Sequence, residues 1–284
     1  MNGTDETTAD DWVSQAPLRR RDLFRVPRIA WVFFRVGAMN ELQYRVNFFI
    51  YVFQAALTLA TGLIVLSLVF SYTTELGGWS RPELLAVMGV HILMGGLIRT
   101  TIQPNMVKLM EDVQQGTLDY ALTKPEDAQL LVSVRETRIW QAVDILVGAV
   151  VLVVAVLQLQ GGIGIAEALA FAAALILGGI TIYCFWLILT TISFWVVRMH
   201  ETVELFEGIY YAGRWPVTVY PFTLRVLLTF LVPLAVAITV PAQGITSRLT
   251  GGTLALAAAF TALLVVGARW FWKLGLRRYS GASA

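Results

Sequence analysis

Residues 139–197 read IWQAVDILVGAVVLVVAVLQLQGGIGIAEALAFAAALILGGITIYCFWLILTTISFWVV. Two apolar runs, Ile139–Gln160 and Ala166–Val197, flank a turn marked by Gly161, Gly162 and Gly164. A hydrocarbon core about 30 Å thick is crossed by a helix of about 20 mostly apolar residues, so each run is long enough for one crossing. The glycines predict a tight turn between two antiparallel spans.

Outside this hairpin, the same length criterion selects Asn47–Phe70, Leu84–Ile102 and Thr253–Trp272. Apolar residues make up 57% of the 284 and charged ones 14%, against roughly 45–50% and about 25% in a soluble domain. The expected fold is therefore an all-α integral membrane protein. A segment between Met199 and Gln243 must add one more crossing if both chain ends share a side, which makes six spans.

Lys and Arg mark the cytoplasmic side of such proteins. Arg19, Arg20, Arg21, Arg25, Arg28, Arg35 and Arg45 precede the first span, whereas the loop after it holds Arg81 alone. Arg99, Lys108, Lys124, Arg135 and Arg138 fall around the next loop, and Arg269, Lys273, Arg277 and Arg278 end the chain. This pattern predicts both termini in the cytoplasm and a multi-pass protein of the inner (plasma) membrane. The net charge of +2 comes from cations spread over separate loops, so no nucleic-acid partner is expected.

The first 22 residues are polar, with no central apolar run, and read as a disordered cytoplasmic tail rather than a signal peptide. Residues 25–46 mix arginines with Trp31, Phe33, Phe34 and Tyr44, as a helix lying in the lipid headgroup layer does. The remainder, 23–284, reads as a single transmembrane domain. Its longest non-membrane stretches are too short for a soluble domain, so soluble chemistry has to come from a partner.

Several chemistries find no residues here. Lys108, Lys124 and Lys273 are followed by Leu, Pro and Leu, so none completes a phosphate-binding loop. His91 and His200 lie in different segments and form no two-histidine metal motif. Cys184 is a lone thiol, read as a small buried residue. No catalytic residue, metal site or cofactor of this chain is expected.

One polar island interrupts the apolar sequence. Residues 113–125 read VQQGTLDYALTKP, flanked by Glu111, Asp112, Glu126 and Asp127. Met106, Met110 and Val113 recur at helical spacing, and Gly116 suits the end of that helix. Thr117 is placed to cap a second short helix, with Asp119 in its first turn and Leu118, Ala121 and Leu122 on one stripe. Pro125 ends it and can open a further helix running unbroken into the third span. A short amphipathic helix joined to two spans serves either as a solvated connector or as a lever against a soluble subunit.

The run of Gly116, Leu118, Asp119, Ala121, Leu122, Lys124 and Pro125 resembles a motif of ABC-2 type export permeases. GRWPVTVYPFTLRVLLTFLVPLAVAITVPAQ at 213–243, GLRRYSGASA at 275–284 and ELQYRVNFF at 41–49 are similar to one subgroup of these, long of unknown function and including viologen exporters. The resemblance implies a permease that pairs with a second permease, identical or related, and is driven by a separate ABC ATPase subunit that binds ATP and Mg. It further implies a coupling loop at 105–127, with Gln115, Gly116, Thr117, Leu118, Asp119, Tyr120, Leu122, Lys124 and Pro125 meeting that ATPase.

Hydropathy alone makes Leu224–Gln243 the fifth span. The resemblance instead implies a span over Glu201–Tyr220 and a re-entrant hairpin over 221–243, broken by Pro221, Pro233 and Pro241. In that arrangement Arg214 lies at membrane depth, where a charge must face protein or water, and Glu207 is its expected partner. Glu207, Tyr210, Tyr211, Arg214 and Trp215 become the expected substrate pathway, suited to a small hydrophobic or cationic organic compound. A lipid-modifying enzyme using Asp144 or Glu207, and a channel or anchor needing no ATPase, are the rival expectations.

Overall fold

The computed structural model describes residues 31, 32, 35, 39, 45–124, 127–159, 164–196 and 201–279. The amino-terminal tail, most of the interfacial segment, Pro125, the 160–163 turn, His200 and residues 280–284 lie outside this set. The described residues form helices joined by turns, with no β-strand among them. Five helices have the length and apolarity of membrane spans: α1 (Arg45–Tyr72), α2 (Arg81–Gln115), α5 (Ile139–Gln158), α6 (Ile165–Phe194) and α10 (Gly251–Leu276). Between α2 and α5 lie two short helices, α3 (Asp119–Leu122) and α4 (Ala128–Val132). Between α6 and α10 come α7 (Glu201–Tyr210) and the bent pair α8 (Phe222–Leu231) and α9 (Ala235–Ile245).

Burial decides which span is central. In α2, 78% of the most apolar window is buried, against 17% in α1 and in α10. Lipid tails are as apolar as leucine, so helices in a bilayer associate through close packing and polar contacts rather than through hydrophobic burial. The α2–α5 contact shows this. A Cβ on Gly96 would stand 2.7 Å from the Ile145 backbone nitrogen, one on Gly89 would stand 2.8 Å from Leu152, and one on Gly148 would collide with Leu93. Glycine at these positions lets the two backbones touch. Gly178 of α6 brings the same closeness to Ala237 of α9.

Helix α2 runs 13 residues beyond the apolar run that ends at Ile102, through a π-helical turn over Ile98–Ile102. Pro104 accounts for that turn. Its missing N–H cannot bond the carbonyl four residues back, and its ring crowds it. The Thr100 carbonyl is thereby released and accepts from the Arg138 amide at 3.0 Å, which ties the start of α5 to α2. Asn105 adds a two-way clamp on the same strand of chain: its Nδ2 donates to the Glu136 carbonyl at 2.8 Å and its Oδ1 accepts from the Glu136 amide at 2.9 Å. Hence α4 does not run unbroken into the third span. The helix stops at Ser133, and the chain beyond it is pinned to α2 before α5 begins.

The α8–α9 pair bends by 84° at Val232–Pro233. Pro233 lacks the N–H that a continuous helix needs, whereas Pro241 lies inside α9 just after a π-helical turn over Ala235–Thr239, as Pro104 does in α2, and the helix continues through it. Both ends of this pair meet the α1–α2 loop. At one end Trp79 Nε1 donates to Thr218 Oγ1 at 3.0 Å; at the other Arg248 donates to Glu83 at 2.5 and 2.9 Å and to the Gly78 carbonyl at 2.7 Å.

Candidate functional site

Two features stand out: the braced segment at the far end of α2, and a cavity in the transmembrane bundle. The brace is built on Asp112, a buried carboxylate on the last turns of α2. It accepts from Arg135 Nη1 at 2.7 Å and from Thr117 Oγ1 at 3.1 Å, with Lys108 Nζ at 3.6 Å. Gly116 ends α2 in the left-handed conformation at φ 68°, open to glycine without strain. Thr117 therefore spends its hydroxyl on Asp112 rather than capping α3, whose flanking residue is Leu118.

The stripe of α3 seats against this chain's own protein. Leu118 is fully buried and Ala121 is buried, with Leu122 packed beside them. On the other side Gln115, Tyr120, Thr123 and Lys124 are exposed, Tyr120 at 78%. Asp119 and Gly116 are half-buried. The next turn is anchored by Asp127, whose Oδ1 caps α4 at the Leu130 amide and whose carboxylate holds the Arg269 guanidinium of α10, which also donates to Gln129 Oε1 at 2.6 Å. Burial pushes the Asp127 carboxyl up, but the Arg269 hydrogen bonds and charge, with the Leu130 and Gln129 amides, hold it below the usual carboxylate range.

The cavity, about 230 Å³, lies between α1, α2, α5 and α7. Of the five residues expected on a pathway, Glu207, Tyr210, Tyr211 and Arg214 line it; Trp215 packs against the core instead. Arg99 and Asp144 join them, closed as an ion pair at 2.6 Å, with Tyr51, Gln54, Thr58, His91, Trp140 and Gln141 completing the wall. Arg214 does not pair with Glu207. Its guanidinium lies over the Tyr211 ring at 5.0 Å, while Glu207 accepts from Gln103 Nε2 at 3.3 Å. His91 stacks on Tyr210 at 4.6 Å and its carbonyl accepts from the Tyr210 hydroxyl at 2.7 Å. Its ring is thus held by stacking, and its Nδ1 is buried without a hydrogen-bond partner.

Sequence reasoning missed Arg99 as a wall residue because it read as a flanking loop charge, and it missed Tyr51, Gln54 and Thr58 inside an apolar run. Their spacing at i, i+3 and i+7 was the available signal, since it puts all three on one helix face.

Fold and site together define a multi-pass helical membrane protein with a polar cavity and a short helix braced at the far end of its central span. The model of the ABC-2 family transporter protein matches residues 56–283, so the chain belongs to that family. Comparison with curated proteins and with solved structures gives no match.

Proposed function

We propose that this chain is the membrane-spanning subunit of an ATP-driven exporter, with α3 docking on a separate ATP-binding-cassette subunit in the cytoplasm. The observation that carries the reading is the split of α3. Leu118 and Ala121 fix it to the end of the central span, and Tyr120 is left exposed at 78% on the opposite side. An exposed aromatic on a rigid helix is the residue type that anchors protein interfaces. Because α2 is continuous from Arg81 to Gln115, a push on α3 is delivered along a rod to the cavity wall at Arg99 and His91. Such a push changes transport only if the bundle has two packings that differ in affinity for cargo.

The same reading places both termini in the cytoplasm, makes residues 201–220 the crossing between α6 and the outer face, and makes α8–α9 a re-entrant hairpin. The common seat of Thr218 and Arg248 on the α1–α2 loop supports the last point, because a true span would end on the opposite face. Cargo is a small organic compound that meets the aromatic and charged wall of the cavity. A second permease, identical or related, completes the pathway.

The test is co-purification of the tagged chain from membranes at native expression. A nucleotide-hydrolysing cassette subunit is expected in the complex, and Tyr120→Ala and Asp119→Lys should each release it while leaving the thermal unfolding of the permease unchanged. Retention of the subunit by both variants, or transport by the isolated chain without nucleotide, rules the reading out.

A further inference from the structure

The cavity wall holds more unmatched polar groups than its own residues satisfy. Among the described residues, Glu207 has a single amide contact at 3.3 Å and Arg214 has an aromatic face at 5.0 Å; neither is in an ion pair. His91 Nδ1 and Gln141 Oε1 are buried without a partner. Buried polar groups are nearly always satisfied, and exceptions mark places where something else binds. Arg99 and Asp144 neutralise each other, which leaves one anion and one cation facing the space.

Their placement is ordered. Glu207 and Arg214 are seven residues apart on α7 and the turn that continues it, so they share a side at roughly 10 Å along the axis. Glu207 lies beside Gln103, toward the end of α2 that carries α3. Arg214 lies deeper, next to Gly213, whose Cβ position is 3.5 Å from His91 Nδ1. At about 230 Å³ the space is below the roughly 300–1,000 Å³ of a drug-sized site, so it takes a headgroup and no more. On its α1 wall Gln54 and Thr58 are exposed polar residues on a helix whose other exposed residues include Phe49, Phe53, Leu57 and Ile64. A tail can therefore lie in the bilayer beside α1 while the headgroup is inside.

Resting on the permease reading, we propose that the cavity binds the headgroup of a single-tailed zwitterionic amphiphile from the membrane, with its anion next to the tail at Arg214 and its cation outermost at Glu207. A simple cation gains Glu207 but meets the field of Arg214, and a simple anion meets the reverse. Only a zwitterion with this polarity matches both charges.

The test uses the full chain with its associated subunits in lipid nanodiscs, titrated calorimetrically below the micellar concentration with probes of one tail length. Dodecylphosphocholine, with its anion by the tail, should bind on the order of tenfold tighter than dodecyltrimethylammonium, dodecyl phosphate or a dodecyl sulfobetaine of reversed polarity. Glu207→Gln should shift preference toward dodecyl phosphate and Arg214→Gln toward dodecyltrimethylammonium, while Arg214→Lys keeps the zwitterion preference and serves if the glutamine variants unfold. Equal binding of all four probes, or of both zwitterion polarities, overturns the assignment. Equally tight binding of tail-less glycerophosphocholine overturns the membrane source. Failure of ATPase retention would sink the permease reading without altering these binding constants.

Discussion

Replacing Asp112 by alanine tests whether α3 is held by electrostatics or merely by chain connectivity. Asp112 carries the Arg135 contact at 2.7 Å, with the two side chains only 7% and 18% exposed. Arg135 Nε and Nη2 have no other hydrogen-bond partner, so the substitution leaves the guanidinium wholly unpaired. Removing one partner of a buried pair costs about 3–5 kcal/mol. Partial rehydration of Arg135 lowers this, and the Lys108 contact at 3.6 Å, 39% exposed on the lysine side, adds no more than about 0.5 kcal/mol. The net is about 2–3 kcal/mol of local stability, or roughly 30- to 150-fold in the opening equilibrium at about 1.4 kcal/mol per decade. Hydrogen exchange on the nanodisc-embedded chain should show that acceleration in peptides covering 113–124, with α2 upstream of Pro104 unchanged. Asp112→Asn, which keeps an acceptor for Thr117, should recover part of the protection. Unchanged exchange in 113–124 would show that Leu118 packing alone holds α3 and that the ion-pair argument is wrong.

Three further outcomes are expected. Gly148→Leu drives a side chain into the Leu93 backbone and should cost at least about 1–3 kcal/mol, seen as a lowered thermal midpoint in detergent, with Gly148→Ala intermediate. Glu83→Gln weakens the seat of Arg248, whose side chain is 40% exposed against 11% for Glu83, and should cost about 1 kcal/mol, read as faster exchange in 218–249. Asp127 has a depressed folded-state carboxyl, so its contribution is fully present above the ordinary carboxylate range and is lost as the pH falls through the depressed value. Acidification should loosen 127–133 in exchange measurements, and Asp127→Asn should remove that pH dependence.

Much of the fold is legible because lipid imposes a length rule on each crossing. The five long spans of the structure overlap the five apolar runs, and Gly116 ends its helix where the pattern put it. The apolar residues that recur on α2 and α3 are likewise core residues: Met106, Met110 and Leu118 are all buried. The site was half legible. Glu207 and Arg214 drew notice only through the span that the family resemblance implies over Glu201–Tyr220, and their partners did not follow from proximity in sequence, because Gln103 reaches Glu207 from 104 residues away.

The sequence by itself determined a helical membrane protein, the position of its polar island and the family to which it belongs, because apolar run length and a local motif are properties of contiguous residues. Tertiary structure alone decided that α2 is the central rod, that Arg99 closes on Asp144 and leaves Glu207 and Arg214 unmatched, and that α3 shows Tyr120 outward. Each of those depends on which faces of separate helices meet. Hydropathy carries no information about that, since in a bilayer the buried and lipid-facing sides of a helix are both apolar.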